Sequence, residues 1–234
     1  MVGEMLIAQE KYLEAGIHIG TKIRTPDMTP FIYKARQDKL YVLDLKKVDD
    51  RIRVAGKMIS RFEAKDVLVV ASRTYAANAG AAFARATGVN VREGRVIPGF
   101  LTNPAREDFI EPTLVIVSDP KGERQAIKES CASGIPVIGL CDTDNSAKFI
   151  DWVIPCNNKG KKSLALIYYL LARETLKARG TIKSDDEFKV PVEEFEERPE
   201  DLVDEAAVEA EAEAKGGSES VEAAKQAPVE DKKE

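Results

Sequence analysis

The chain has 234 residues with 35 Lys and Arg against 40 Asp and Glu, and this charge is unevenly divided. Residues 1–183 hold 29 of the basic and 21 of the acidic residues, which leaves 6 and 19 for residues 184–234. The first part is long enough for one sizeable hydrophobic core. These numbers predict a basic globular domain over residues 1–183 and an acidic appendage over residues 184–234.

Neither a membrane span nor a disulfide framework is expected. The longest apolar run, residues 164–172, is much shorter than the roughly 20 residues that cross a bilayer, and the first residues are too polar for a secretory signal. The three cysteines, at positions 131, 141 and 156, are widely spaced and predict free buried thiols.

Short apolar runs rich in β-branched residues predict the strands. Val67–Ala71 and Leu114–Val117 are apolar without interruption, which is typical of strands that are buried on both faces of a parallel sheet. The full set of predicted strands is residues 40–45, 67–71, 114–117, 137–140 and 152–154, with a weaker run at 89–91.

Helical segments lie between these runs. Residues 46–64 place apolar side chains at spacings of three and four, and the Ala-rich segment Thr74–Thr87 stops before Gly88. Residues 121–133 and 163–179 likewise end before a glycine. Alternating strands and helices predict an α/β fold with a mostly parallel sheet.

The acidic appendage has a different composition. From residue 184 onward large apolar residues become scarce and prolines interrupt the chain, which predicts a largely disordered tail. Residues 184–203 still contain Phe188, Phe195 and Leu202, and this part is expected to lie either on the body or on a partner.

One acidic motif is compatible with catalysis. Asp142 and Asp144 follow a predicted strand in the pattern Asp-x-Asp-x-Ser, as in phosphohydrolases whose first Asp attacks phosphorus while the second acts as acid and base beside Mg²⁺. The alternative, which we favour, is a polar turn after the strand.

The sequence contains one histidine, His18, and this number excludes a metal site built from several histidines. We expect His18 to have a structural or hydrogen-bonding role.

Clusters of basic residues point to nucleic acid. Lys and Arg crowd residues 22–39, close to Tyr33 and Tyr41, and a second cluster lies at residues 159–162, where a helix is predicted to begin. Lys and Arg bind phosphates strongly and without regard to sequence, so we favour a nucleic-acid surface over a merely solvated one.

Seven motifs occur in an order that identifies a family. They are residues 16–21 (GIHIGT), 27–33 (DMTPFIY), 95–104 (RVIPGFLTNP), 119–120 (DP), 135–137 (IPV), 141–144 (CDTD) and 154–160 (IPCNNKG). The chain closely resembles the universal small-subunit ribosomal protein S2 family in its archaeal and eukaryotic form, the laminin-receptor-precursor-like branch. The resemblance covers about residues 5–182.

The resemblance implies a Rossmann-like or flavodoxin-like three-layer sandwich with about five strands. It also implies a non-catalytic structural constituent of the small ribosomal subunit, acting in translation in the cytoplasm. Such a protein binds rRNA and neighbouring ribosomal proteins at the junction of head and body. No cofactor, metal, membrane or small-molecule substrate is expected.

The expected rRNA contacts come from three of these motifs and from the basic clusters. The motifs supply His18, Thr21, Lys22, Arg24, Thr25, Arg95, Thr102, Asn103, Asn157, Asn158, Lys159 and Lys161, and the clusters add Lys34, Arg36 and Lys162.

Overall fold

The computed structural model describes residues 5–197, apart from the side chain of Asp186, and it confirms the α/β class. The helices are Gln9–Glu14 (α1), Leu45–Ile59 (α2), Thr74–Thr87 (α3), Arg124–Ala132 (α4), Lys161–Arg179 (α5) and Glu193–Glu196 (α6). The strands are Ile32–Ala35 (β1), Tyr41–Leu43 (β2), Val67–Ala71 (β3), Asn90–Glu93 (β4), Leu114–Val117 (β5), Val137–Cys141 (β6) and Trp152–Pro155 (β7).

The main sheet has five strands in the order β4-β3-β5-β6-β7, and every neighbouring pair is parallel. In β3, Val69 lies opposite Val91 of β4 on one side and Ile116 of β5 on the other. Numbered within this sheet, the order is 2-1-3-4-5, the flavodoxin-like arrangement. The predicted parallel sheet of about five strands is therefore confirmed.

Both faces of the sheet are buried because alternate side chains of a strand point to opposite faces. Val67, Val69 and Ala71 belong to the larger core, together with apolar residues of α2, α3 and α5. Leu68 and Val70 belong to a second core on the other face. This arrangement explains why β3 is apolar at all five positions.

The second face is covered by α4 and by the long connection between β4 and β5. Phe100 and Leu101 of this connection pack in the core beneath it, while Pro98 and Pro104 disfavour a regular helix there. The carboxylate of Glu129 on α4 accepts hydrogen bonds from the backbone N–H groups of Gly99 (2.8 Å) and Leu101 (2.9 Å). One buried carboxylate thus fixes the path of an irregular segment.

The predicted strand at residues 40–45 lies outside the main sheet. Its middle part, β2, pairs antiparallel with β1 to form a separate hairpin, in which Ile32 lies opposite Leu43. The fifth strand of the main sheet is instead the weak run near residue 90, which forms the edge strand β4. The helix predicted at residues 46–64 ends earlier, at Ile59, and a short turn leads into β3.

Residues 185–196 lie on the body of the protein, which is one of the two placements that the sequence allowed. The rings of Phe188 and Phe195 lie 5.2 and 5.9 Å from the ring of Tyr169 on α5, and Arg173 of α5 pairs with Asp185 at 3.3 Å. The compact unit therefore continues to Glu196, beyond the expected end at residue 183. The predicted disorder of residues 198–234 falls outside the described residues.

The sequence also predicted free, buried cysteines and no membrane-spanning helix. Cys141 and Cys156 are free and buried as predicted, whereas Cys131 is free but exposed, because it lies on the outer side of α4. No helix among residues 5–197 is both long and apolar enough to cross a membrane.

Phe195→Ala tests whether the segment after α5 belongs to the fold. Phe195 is fully buried, so its truncation is expected to lower the free energy of unfolding by about 3 kcal/mol, measured by chemical denaturation. The exposed neighbour Lys189 provides the control, and Lys189→Ala should change little. Equal stability of the two variants would contradict the packing of this segment.

Candidate nucleic-acid interface

Three of the sequence motifs meet at the carboxyl edge of the main sheet. The segment 16–25 crosses this edge and touches the turns that follow β6 and β7. Gly20 makes the crossing possible, because a Cβ atom at this position would lie only 2.5 Å from Cγ2 of Thr143 and 2.8 Å from the carbonyl oxygen of Tyr41. A larger residue would push the segment off the sheet.

Hydrogen bonds to the turn after β6 hold the segment in place. The backbone N–H of Thr21 donates to Oγ1 of Thr143 at 2.9 Å, and the backbone N–H of Thr25 donates to the Thr143 carbonyl at 2.9 Å. The hydroxyl of Thr25 donates to the carbonyl of Asn145 at 2.6 Å. Thr21 and Thr25, two of the predicted RNA contacts, therefore fasten the segment to the sheet.

The two asparagines after β7 also bond inward. Asn158 is fully buried, and its amide donates to the Leu140 carbonyl at 3.0 Å and to Oδ1 of Asn145 at 3.3 Å. We correct its assignment as an RNA contact, because this side chain has no exposed surface. Asn157 is half-buried, and its Oδ1 accepts the backbone N–H groups of Lys159 and Gly160 at the start of α5.

Lys159 neutralises the acidic turn. Its ammonium nitrogen lies 3.1 Å from Oδ2 of Asp142 and 3.1 Å from Oδ1 of Asp144. Burial raises the pKa of Asp142, and the backbone N–H of Thr143 and the charge of Lys159 oppose that rise. Burial lowers the pKa of Lys159, but the two carboxylates outweigh this effect and raise it overall.

This geometry explains the motif that resembled a phosphohydrolase. The ammonium group lies between the carboxylates where that reaction needs Mg²⁺, and Asp142 is only 1% exposed. Asn145 also turns inward, and its Oδ1 accepts the backbone N–H of Asp142 at 2.7 Å. The motif is therefore a structural turn, as the favoured alternative predicted.

A second buried carboxylate joins β3 to β5 at the same edge. Glu123 accepts hydrogen bonds from the backbone N–H groups of Ser72 (2.7 Å), Ser118 (2.8 Å) and Asp119 (3.1 Å), and from the Ser72 hydroxyl (3.0 Å). Burial raises the pKa of Glu123 to about 7, although the Ser72 and Asp119 N–H groups lower it. The carboxylate holds the ends of two strands in a fixed position.

Four of the predicted contact residues that face outward are basic and lie near the crossing segment. Lys22, Arg24, Lys34 and Arg36 are exposed on the crossing segment and on the β1–β2 hairpin. The guanidinium carbon of Arg24 lies 5.5 Å from the ring centroid of Tyr41, within the range of a cation–π contact. The structure therefore brings four of the predicted cations together on the crossing segment and on the hairpin that is bonded to it.

His18 lies beside these cations. It is half-buried and lines a cavity of about 650 Å³ together with Tyr33, Lys34 and Arg36. Burial lowers the pKa of His18, and the positive charge of Arg36 lowers it further. The imidazole is therefore neutral near neutral pH and adds no charge to the surface.

The remaining predicted residues lie in two other places. Arg95, Thr102 and Asn103 belong to the connection over the second face, where Oδ1 of Asn103 accepts the backbone N–H of Ala105 at 3.1 Å and shapes a turn. Lys161 is half-buried and Lys162 is exposed at the start of α5. The structure therefore does not unite all the predicted residues in one site.

Four exposed cations near α4 were missed by the sequence interpretation. They are Lys121, Arg124, Lys128 and Lys148. Arg124 and Lys128 are four residues apart and therefore share one side of α4. This spacing within a predicted helix was the signal in the sequence that could have indicated a basic surface. Lys148 follows β6, and it comes close to α4 because β6 pairs with β5, the strand that precedes α4.

Lys159→Met tests the structural assignment of this lysine. The variant is expected to lose about 2 kcal/mol of stability near neutral pH, less than for a fully buried ion pair because the Lys159 side chain is 35% exposed. Loss of the ammonium raises the pKa of Asp142 further above its unfolded value. The stability deficit should therefore grow as the pH rises from about 4 to about 7, and shrink in acid.

The matched control is Lys162→Met, which removes an exposed charge three residues away. Denaturation curves of both variants at several pH values provide the measurement. If Lys159→Met were as stable as Lys162→Met at neutral pH, Lys159 would not hold the turn.

Comparisons with known proteins agree with the motifs. The family model described as "Ribosomal protein S2" matches residues 12–107 and 105–178. The "Small ribosomal subunit protein uS2" of Thermoplasma acidophilum is 52% identical over 193 residues, which cover 82% of this chain and 97% of the relative. The protein of the same name from Saccharolobus solfataricus is 48% identical over 195 residues, covering 83% of this chain and 84% of the relative.

These relatives carry the name of a ribosomal protein and not that of an enzyme, in agreement with the non-catalytic prediction. The match spans both cores of the main sheet and the carboxyl edge. The chain belongs to the ribosomal protein S2 family.

Proposed function

We propose that this chain is a structural constituent of the small ribosomal subunit in the cytoplasm, with no catalytic activity. It takes part in translation by binding rRNA and neighbouring ribosomal proteins at the junction of head and body. Family membership and the names of the relatives support the subunit assignment. The position at the junction follows from the family resemblance alone.

The observation that carries the rRNA assignment is a surface of five exposed cations, which we call the basic hairpin face: Lys22, Arg24, Lys34, Arg36 and Lys39. Within residues 5–197, none of these five forms an ion pair with a carboxylate. Unpaired cations on one face bind the phosphates of RNA without losing internal partners. Three of the five lie on the β1–β2 hairpin and two on the crossing segment that pairs with it.

Aromatic and apolar groups add to the same face. Tyr33 is 69% exposed, and its ring is available for stacking on an unpaired base, while Lys34 lies 5.8 Å from the ring centroid. Ile23 is 67% exposed and Leu13 is 45% exposed beside the hairpin. Exposed apolar side chains at the rim of a basic surface suit the contact with a neighbouring ribosomal protein.

The inward-facing residues support this face indirectly. Thr21, Thr25 and Asn157 fix the crossing segment on the sheet, so the cations of the segment are held in place before binding. A surface that is already ordered loses less conformational entropy when it binds.

The test is co-sedimentation with small ribosomal subunits of Thermoplasma acidophilum that lack their own relative of this chain. A fourfold variant, Lys22→Gln, Arg24→Gln, Lys34→Gln and Arg36→Gln, should bind at least about tenfold more weakly at moderate salt. The slope of log affinity against log salt should fall by roughly three, because about four phosphate contacts are lost.

The control variant removes four other exposed cations, Lys57, Arg61, Lys65 and Arg85, each replaced by Gln. It has the same net charge as the fourfold variant and should bind like the unchanged protein. If the two variants bound equally well, the basic hairpin face would not be the contact surface. Failure of the unchanged protein to co-sediment even at low salt would overturn the subunit assignment itself.

A further inference from the structure

A crevice opens at the carboxyl edge between β3 and β5. In this strand order the helical connections leave these two neighbouring strands towards opposite faces of the sheet, which is where open α/β sheets form a ligand crevice. The crevice has a volume of about 240 Å³. Ser72, directly after β3, and Gly122 and Glu123, after β5, form its floor.

Three cations line this crevice. They are Arg95 from the connection after β4, and Arg124 and Lys128 from one side of α4. Among the residues that the structure describes, none of the three forms an ion pair with a carboxylate. Glu123 is the acidic residue of the lining, and its oxygens are already occupied by four donors from the two strands. The lining is therefore basic towards a ligand.

A second cavity adjoins the first. It has a volume of about 390 Å³, and Arg124 and Lys128 line it as well. Lys121 and Lys148 add two further cations to its lining, and the one acid there, Asp144, pairs with Lys121 at 3.6 Å and with Lys159 at 3.1 Å. Arg124 and Lys128 thus stand between two basic cavities.

We propose that Arg95, Lys121, Arg124, Lys128 and Lys148 form a second phosphate-binding surface, which holds backbone phosphates of an RNA strand in the two adjoining cavities. We call it the α4 surface. It rests on the proposed rRNA binding and extends that function from Arg95, which a sequence motif indicated, to four cations that no motif indicated.

The shared cations favour a polymer over a single small ligand. A free phosphate fills one cavity and leaves the cations of the other unneutralised, whereas a strand with repeated phosphates reaches both. Among the residues that line the two cavities, a single one is aromatic, Phe149. Such a surface contacts the backbone of RNA and reads no base sequence.

The floor of the crevice is held firmly enough to present these cations. Glu123 joins the two strand ends, and Arg73 pairs with Asp119 at 2.7 Å just beyond them. Gly122 packs closely as well, since a Cβ atom there would lie 3.2 Å from both Oδ2 of Asp119 and Oγ of Ser72. The charges therefore project from a rigid edge.

The test measures binding of the full chain to small-subunit rRNA of Thermoplasma acidophilum by filter retention over a salt series. Arg124→Gln with Lys128→Gln should weaken binding roughly tenfold and lower the salt slope by about two, because two phosphate contacts are lost. Arg95→Gln, in a different element, should lower the slope by about one.

The matched control is Lys57→Gln with Arg85→Gln. These residues lie near the ends of α2 and α3, which run towards the opposite edge of the sheet, and the control removes the same charge from exposed helical positions. Its slope should equal that of the unchanged protein. Equal binding by the α4 variants and the control would overturn the α4 surface while leaving the basic hairpin face intact.

A second arm separates RNA from a small phosphate compound. Inorganic phosphate is titrated into the unchanged protein and the Arg124→Gln, Lys128→Gln variant by calorimetry. Phosphate binding that the variant abolishes, combined with undiminished RNA binding, would show a small-ligand site and overturn our assignment. If the unchanged protein did not retain RNA, both the proposed function and the α4 surface would fail.

Discussion

The ammonium group of Lys159 is the charge on which the carboxyl edge of the main sheet depends. Asp142 is almost completely buried and Asp144 is only 11% exposed, so two neighbouring acids in this turn would repel each other without a shared cation. The turn also carries Thr143, which receives hydrogen bonds from the crossing segment. The position of the basic hairpin face therefore depends on an ion pair in the turn to which the crossing segment is bonded.

Elsewhere around this edge, acidic side chains bond inward to the backbone while basic side chains face solvent. The carboxylates of Glu123 and Glu129 accept backbone N–H groups and fix the strand ends and the connection over the second face. The side chains of Arg24, Arg124 and Lys128 point away from this frame and remain exposed. Acids and amides that bond inward fix the backbone at this edge, and the cations that face outward form the two surfaces that we propose for phosphate. A rigid frame with solvated cations is well suited to a scaffold protein that binds RNA.

The sequence predicts what depends on neighbouring residues and misses what depends on distant ones. Val67–Ala71 and Thr74–Thr87 were predicted correctly because hydrophobic run length and Ala content act locally. The β1–β2 hairpin was missed because its strands are short and Lys39, in the turn, adopts a positive φ of 62° without the Gly that usually marks such a position. The motif and the charge of Lys159 predicted a contact with RNA, but its carboxylate partners follow the neighbouring strand β6 and come close only through the pairing of β6 with β7. The α4 surface likewise required the order of β3 and β5.

Lysine acetylation followed by mass spectrometry, on the free protein and on the protein in assembled small subunits, tests this account most directly. We expect Lys22, Lys34 and Lys128 to react when the protein is free and to be protected in the subunit, while Lys159 reacts slowly in both states because carboxylates hold its ammonium. Exposed Lys57 and Lys65 should react equally in both states. A readily acetylated Lys159 in the free protein, or unchanged reactivity of the hairpin lysines on assembly, would contradict the account.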